Sequence, residues 1–490
     1  MLKAAQSLRF NAKVRRVQRE LARAEEYESW LHLAERHDEV TGMKRWRDLE
    51  ESSLYGHSEI RERHDELHRL YQSNDQVGLM HTINEGVHGN IEGIGRPILY
   101  ARSKLGTKRL IEQYVEIVDL SLRSIAEADE KVIKKSTKLE FFSRVSHCYG
   151  QSALMLSGGG GLIYFHHGVV QTLLDHDLLP NVISGSSAGS WICAQLGTLT
   201  DDELRGRYFR DKVYQQREDL GDRAHLGVLL GLNAEYSTSQ FLEDCFDQLG
   251  EDLTFGEAYE KTGRCINISI APADRNQMSR LMNAVTSPDV YIRSAVRASS
   301  SVPGVTPPVR LYSKGVDGKP RPYQSSRKWV DGSFADDLPA KKLARLFGVN
   351  HYIVSLINPL TLPFVDDPKL SRHRGWGSVA TSAAMQIAQQ ALTTTERFAS
   401  RRRIRTLAPV LLAADAVVNQ KYTGDVNIIL DKQDYRWRNV LFSYGKEKAD
   451  IQKLKVAGER NTWQRIPMMR NTTRVANTVK EILSRMSPGK

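Results

Sequence analysis

Two glycine turns, each set between a short apolar run and a helix-forming stretch, constrain this chain more than any other feature of its sequence. The first is Ala153-Leu154-Met155-Leu156, then Ser157-Gly158-Gly159-Gly160-Gly161, then Leu162-Ile163-Tyr164-Phe165-His166-His167-Gly168-Val169-Val170. The second is Val182-Ile183-Ser184-Gly185-Ser186-Ser187-Ala188-Gly189, running on into Ser190-Trp191, with Ser187 26 positions after Gly161. Each reads as strand, turn and helix. Two successive βα units predict a parallel sheet with both turns at its carboxyl edge. The glycine run and Ser187 are therefore expected to be neighbours in space.

The turns differ in what they offer chemically. Gly185-Ser186-Ser187-Ala188-Gly189 fits G-x-S-x-G, a turn that pushes its central serine out at a strand end, with glycines where side chains would clash. Ser187 is the candidate nucleophile, with Gly185 and Gly189 forming the elbow. Alone, this pattern arises by chance in roughly one chain in five of this length. The run from Gly158 to Gly161 presents backbone N–H groups at a helix start, where negative charge is favoured. It reads either as an oxyanion hole or as a phosphate cradle. The Walker lysine-serine pair is missing, and the glycines do not fit G-x-G-x-x-G. Further on, Trp329-Val330 reads as a strand end and Asp331-Gly332 as the tight turn after it. Asp331 either faces the edge where Ser187 stands or simply makes the turn.

Other candidates carry less. His64 and His68 share a helical face in His64-Asp65-Glu66-Leu67-His68, but the stretch is not H-E-x-x-H and no third ligand is identified. The four cysteines, Cys148, Cys193, Cys245 and Cys265, are scattered without C-x-x-C, as expected of reduced thiols inside a cell. No metal or other cofactor is expected. Ser299, Ser300 and Ser301 read as loop and cap residues. Leu226 to Leu232 is too short to span a membrane. The Arg-rich N-terminus has no apolar signal core. It reads as an amphipathic helix rather than a transit peptide, because the helical pattern runs past Glu20. The net charge of +11 suits an anionic partner. No zinc-knuckle, RNP-like or helix-turn-helix signature is present, which favours a membrane over nucleic acid. The densest basic cluster, Glu396 to Arg405, is the candidate contact.

Three regions are expected. Residues 1–149 read as helical, with a Gly-rich connector from Gly86 to Pro97 and a strongly amphipathic helix from Leu110 to Ile125. Residues 150–362 hold the βα units, a helical insertion at about 200–260, the strand Cys265 to Ile270, a helix from Val290 to Ala298 and the strand Tyr352 to Ile357. Residues 363–490 form a basic, mostly helical region whose strand Val426 to Leu430 adds an edge to the core.

The glycine run, G-x-S-x-G and Asp-Gly, in this order, resemble the patatin-like acyl hydrolases. Ile183 to Ser190, Asp331-Gly332-Ser333 with Asp337-Leu338-Pro339, Ile353-Val354-Ser355 with Asn358-Pro359, and Ala457-Gly458-Glu459-Arg460 are similar to the triacylglycerol-lipase branch with its helical N-terminal domain. The compact length looks like a bacterial member. Gly161 stands where that branch often has a small or hydroxyl residue, and the H-x-x-x-x-D acyltransferase motif is absent around His166 and His167. The resemblance implies an α/β fold with a parallel-sheet core flanked by helices. It also implies an intracellular enzyme, peripheral to a membrane or lipid droplet, that hydrolyses lipid esters through a Ser187–Asp331 dyad and the Gly158–Gly161 oxyanion hole. Two rival readings stand beside it: an α/β-hydrolase triad using His351 or His373, and a non-catalytic lipid-binding protein.

Overall fold

The computed structural model describes residues 2–86, 88–205, 251–274, 278–302, 306–359, 361–362, 424–431, 434 and 448–486. Leu226 to Leu232, most of the expected insertion, His373 and the Glu396–Arg405 cluster lie outside the described residues. The chain divides into two units. One comprises residues 1–151, 348–351 and 462–490, the other residues 152–347 and 352–461. The expected third region is thus divided between them.

The first unit is helical. Its best-defined element is the helix Arg109–Glu127, which buries Leu110, Ile111, Tyr114, Val115, Val118, Leu122 and Ile125 along one stripe. That stripe packs against the helices His57–Gln72 and Ile466–Met486. The second of these explains why the chain's end joins this unit. It buries Ile466, Met469, Val475, Val479 and Ile482 on its own apolar face. Asp119, buried on Arg109–Glu127, accepts hydrogen bonds from Arg474 Nε at 2.9 Å and from Thr478 Oγ1. The N-terminal pattern is broken between the helices Leu2–Leu21 and Tyr27–Val40, where the sequence has neither Gly nor Pro to mark the stop.

The second unit is built on a mixed, largely parallel sheet. Its strands are β1 (Gln151–Leu156), β2 (Val182–Gly185), β3 (Cys265–Pro272), β4 (Arg280–Met282), β7 (Trp329–Asp331), β8 (Val349–Leu356) and β9 (Val426–Ile429). The intervening β5 (Leu311–Lys314) and β6 (Pro320–Tyr323) form a separate antiparallel hairpin. The strand order is β4-β3-β2-β1-β8-β9, with β7 also on β3. β1, β2 and β3 are mutually parallel, and β8 and β9 are parallel to each other. Central strands read as unbroken apolar runs because both faces are covered. Ala153 to Leu156 are all buried. The helix Lys448–Trp463 meets the helix Ile163–Asp175 at Gly168, where a Cβ would lie 2.0 Å from Lys455 O.

Register explains how Asp331 reaches the end of β2. Ile268 pairs with Gly185 on one edge of β3 and with Met282 on the other. Two residues on, Ile270 pairs with Arg280 of β4 and, on the opposite edge, with Asp331 of β7. β7 therefore takes the edge that β2 has just vacated. Asp331 stands in line with β2, just past Gly185, where the chain turns into Ser187. The short strands β4 and β7 carry no period-2 pattern that a sequence reading could use.

Candidate active site

Ser187 lies at the turn between β2 and the helix Ala188–Thr198, with φ 50° and ψ −118°. A side chain held there costs on the order of 1–3 kcal/mol, a strain typical of functional turns. Two close approaches demand glycine. A Cβ on Gly185 would lie 2.3 Å from Gly189 O, and one on Gly189 would lie 2.2 Å from Leu156 O. The helix is thereby pressed onto the strands and Ser187 is left half-buried at the edge. Its N–H donates to Ser299 Oγ at 2.9 Å, and Ser299 Oγ donates to Ser269 O at 2.8 Å. Ser299, expected to be a loop or cap serine, thus holds the elbow. Ser300 Oγ accepts a bond from Trp191 Nε1 at 2.9 Å.

Asp331 is buried, and the side-chain hydroxyls of Ser187 and Ser333 lie close enough to its carboxyl to lower its pKa. Oδ1 also accepts the Ser333 N–H at 2.8 Å. Burial pushes its pKa up to about 7, against the lowering effect of the Ser333 and Ser187 bonds. A carboxyl with an ordinary pKa near 4 would be a weak base toward a serine hydroxyl. Desolvation brings this one close to neutral pH, the range in which a general base works best.

The glycine run packs beside both groups. An ideal Cβ on Gly158 would lie 3.0 Å from Ser333 Cβ and 3.3 Å from Ser187 Cβ. Its four members are not equivalent. Gly158 N–H is already donated to Asp337 Oδ1 at 2.8 Å, so the expectation that it is an oxyanion donor is corrected. Gly161 is buried inside the 3-10 turn Gly160–Leu162. Gly159 and Gly160 are half-buried and exposed respectively. Their N–H groups open the turn, where no earlier carbonyl lies within it to receive them.

Among the described residues no histidine hydrogen-bonds to Ser187 or Asp331. His166 is buried behind the glycine run, its Nδ1 2.7 Å from Ser355 Oγ and its Nε2 2.9 Å from Ser157 O. Burial pushes its pKa down to about 4, so it is a neutral structural group. His167 is buried too, and burial lowers its pKa to about 3. His351 stands near the start of β8 and groups with the first unit. His64 and His68 stack with ring centroids 5.8 Å apart. No cluster of three or more metal-ligating side chains exists among the described residues. No described helix is long and apolar enough to cross a membrane.

Comparison with known proteins gives matches over nearly the whole chain. Residues 154–344 match the patatin-like phospholipase family model, and residues 7–147 match a domain of unknown function, DUF3336. A patatin-like phospholipase domain-containing protein of Emericella nidulans is 32% identical, with 96% of this chain and 65% of that protein covered. One from Aspergillus clavatus is 31% identical, covering 99% and 71% respectively. A third, from Cryptococcus neoformans, is 31% identical over 96% of this chain and 54% of its own length. The chain thus spans about half to seven-tenths of the relatives it matches.

Proposed function

We propose, from the premise that this chain belongs to the patatin-like phospholipase family, that it is a serine acyl hydrolase of lipid carboxylic esters. The observation that carries the reading is the placement of the Ser187 hydroxyl beside the buried Asp331 carboxyl, close enough to lower its pKa. Ser187 Oγ attacks the ester carbonyl as Asp331 takes its proton. The N–H groups of Gly159 and Gly160 receive the developing oxyanion. The tetrahedral species collapses to an acyl-Ser187 ester, and the leaving alcohol takes the proton from Asp331. A water, deprotonated by Asp331, then attacks the acyl group, and Ser187 recovers its proton as the fatty acid leaves.

Acylglycerols and phospholipids are both within this chemistry, and the resemblance to the lipase branch favours triacylglycerol. The net charge of +11 supports contact with an anionic lipid surface. Fatty acid release from triacylglycerol, phospholipid and lysophospholipid, each offered with and without anionic vesicles, tests the substrate. A fluorophosphonate probe tests the nucleophile. Wild type is expected to label; an unlabelled protein with no hydrolysis on any of the three substrates supports the non-catalytic alternative instead.

The pH dependence follows from Asp331. The base must be ionised, and its pKa is raised to about 7. For a soluble ester, kcat/KM is expected to fall about tenfold per pH unit below about 7 and to level off above it. A profile that is flat down to pH 5 contradicts Asp331 as the base.

A further inference from the structure

Asp337 lies six residues beyond Asp331 and is fully buried. Its carboxylate gathers donors from three separate parts of the chain. Oδ1 accepts the Gly158 N–H at 2.8 Å, from the loop leaving β1. The same oxygen accepts the Ser186 hydroxyl, from the turn leaving β2. Oδ2 accepts Asn358 Nδ2 at 3.2 Å, from the loop leaving β8. Asn358 follows Ile357, which closes over the next glycine: a Cβ on Gly159 would lie 2.5 Å from Ile357 Cγ1. A buried carboxylate is costly unless its lone pairs are filled. Here the donors that fill them flank both reacting parts of the site. One is the residue before Ser187, and the other precedes the free N–H groups of Gly159 and Gly160.

We infer that Asp337 is a positioning residue that sets the spacing between the oxyanion donors and the Ser187 hydroxyl. This rests on the Ser187–Asp331 reading. A single oxygen bonded to both Gly158 and Ser186 joins the two turns directly, past the end of the strand ladder. The ladder pairs β1 with β2 only as far as Leu156 and Gly185. Beyond them the Ser186 N–H still donates to Leu156 O at 3.3 Å, and Asp337 adds the link from Ser186 to Gly158. An error of about 1 Å in such a spacing can cost on the order of a hundredfold in rate. It acts on the transition state, because the oxyanion forms only there.

The test is a comparison of Asp337→Ala and Asp337→Asn on a soluble ester. Asp337→Ala is expected to lower kcat by about tenfold to a hundredfold, with KM within about threefold of wild type. Asp337→Asn keeps an oxygen for Gly158 and Ser186 and is expected to recover to within about fivefold. Unchanged kcat in Asp337→Ala, or equal losses in both variants, overturns the inference. Should Asp337→Ala not fold, Ser186→Ala removes one of the two ties and is expected to lower kcat, not KM, by a few-fold. Amide exchange over residues 157–161 gives a readout independent of turnover. It is expected to be faster in Asp337→Ala, and unchanged exchange overturns the tie. A wild type that neither hydrolyses esters nor labels removes the Ser187–Asp331 reading, whereas the exchange comparison fails only if the tie itself is wrong.

Discussion

Asp331→Asn is expected to lose on the order of 10⁴-fold in kcat/KM and, at the same time, to make the protein more stable in mild alkali. The first effect follows from removing the base while keeping the shape. Asn accepts the Ser333 N–H as Asp331 does, but it cannot take the Ser187 proton. The second follows from the raised pKa. Folded Asp331 titrates at about 7, whereas in the unfolded chain it titrates near 4. Between those values the folded state holds a proton that the unfolded state has lost. Stability from this group is fully present below about pH 4 and declines as pH rises through 7, after which a constant penalty remains. Three pH units correspond to roughly 4 kcal/mol. Denaturant unfolding of the two proteins should therefore agree near pH 4, with Asp331→Asn ahead by a few kcal/mol at pH 8. The same variant separates the dyad from a triad. His351→Ala is expected to stay within about threefold of wild type, and an inactive His351→Ala beside an active Asp331→Asn would overturn the dyad.

The parts of the site legible in the sequence are those whose backbone demands are local. Gly185 and Gly189 announce the elbow because no other residue survives contacts of 2.3 and 2.2 Å. The glycine run announces itself in the same way, and the apolar runs before each turn give β1 and β2. Asp331-Gly332 announces a turn, but nothing local says what that turn faces. Its place is fixed by pairing across β3 to residues about sixty positions earlier, and such non-local register leaves no trace in a short strand. Asp337 and Ser299 were hidden for a related reason. Each acts through one hydrogen-bonded contact with a distant turn, and Asp and Ser are ordinary residues in loops. The distinction among the four glycines belongs to the same class, since only the partner at Asp337 shows that Gly158 is spoken for. In the helical unit, the Arg109–Glu127 stripe was plain from its period. That the chain's last helix packs on it was not, because an amphipathic face specifies burial without naming the surface that covers it.

Ser187→Ala is the substitution with the largest expected effect on turnover, about 10⁴- to 10⁶-fold in kcat, with fluorophosphonate labelling abolished. Residual rate over water is still expected, because Gly159 and Gly160 remain to hold an oxyanion formed by direct attack of water. Stability separates two kinds of contribution that activity alone would merge. Ala keeps a Cβ at φ 50°, so Ser187→Ala removes the hydroxyl and retains the strain. It also removes the hydroxyl beside the buried Asp331 carboxyl, which favours the ionised form. Asp331 in Ser187→Ala should therefore titrate still higher than in wild type. Ser187→Gly removes the Cβ as well and is expected to be more stable than Ser187→Ala by on the order of 1 kcal/mol, while equally inactive. Thermal unfolding of the two variants at one pH measures that difference directly. Equal stability of Gly and Ala would mean that the elbow carries no backbone strain. In that case the placement of Ser187 at the sheet edge would owe nothing to a conformation that only the surrounding fold enforces.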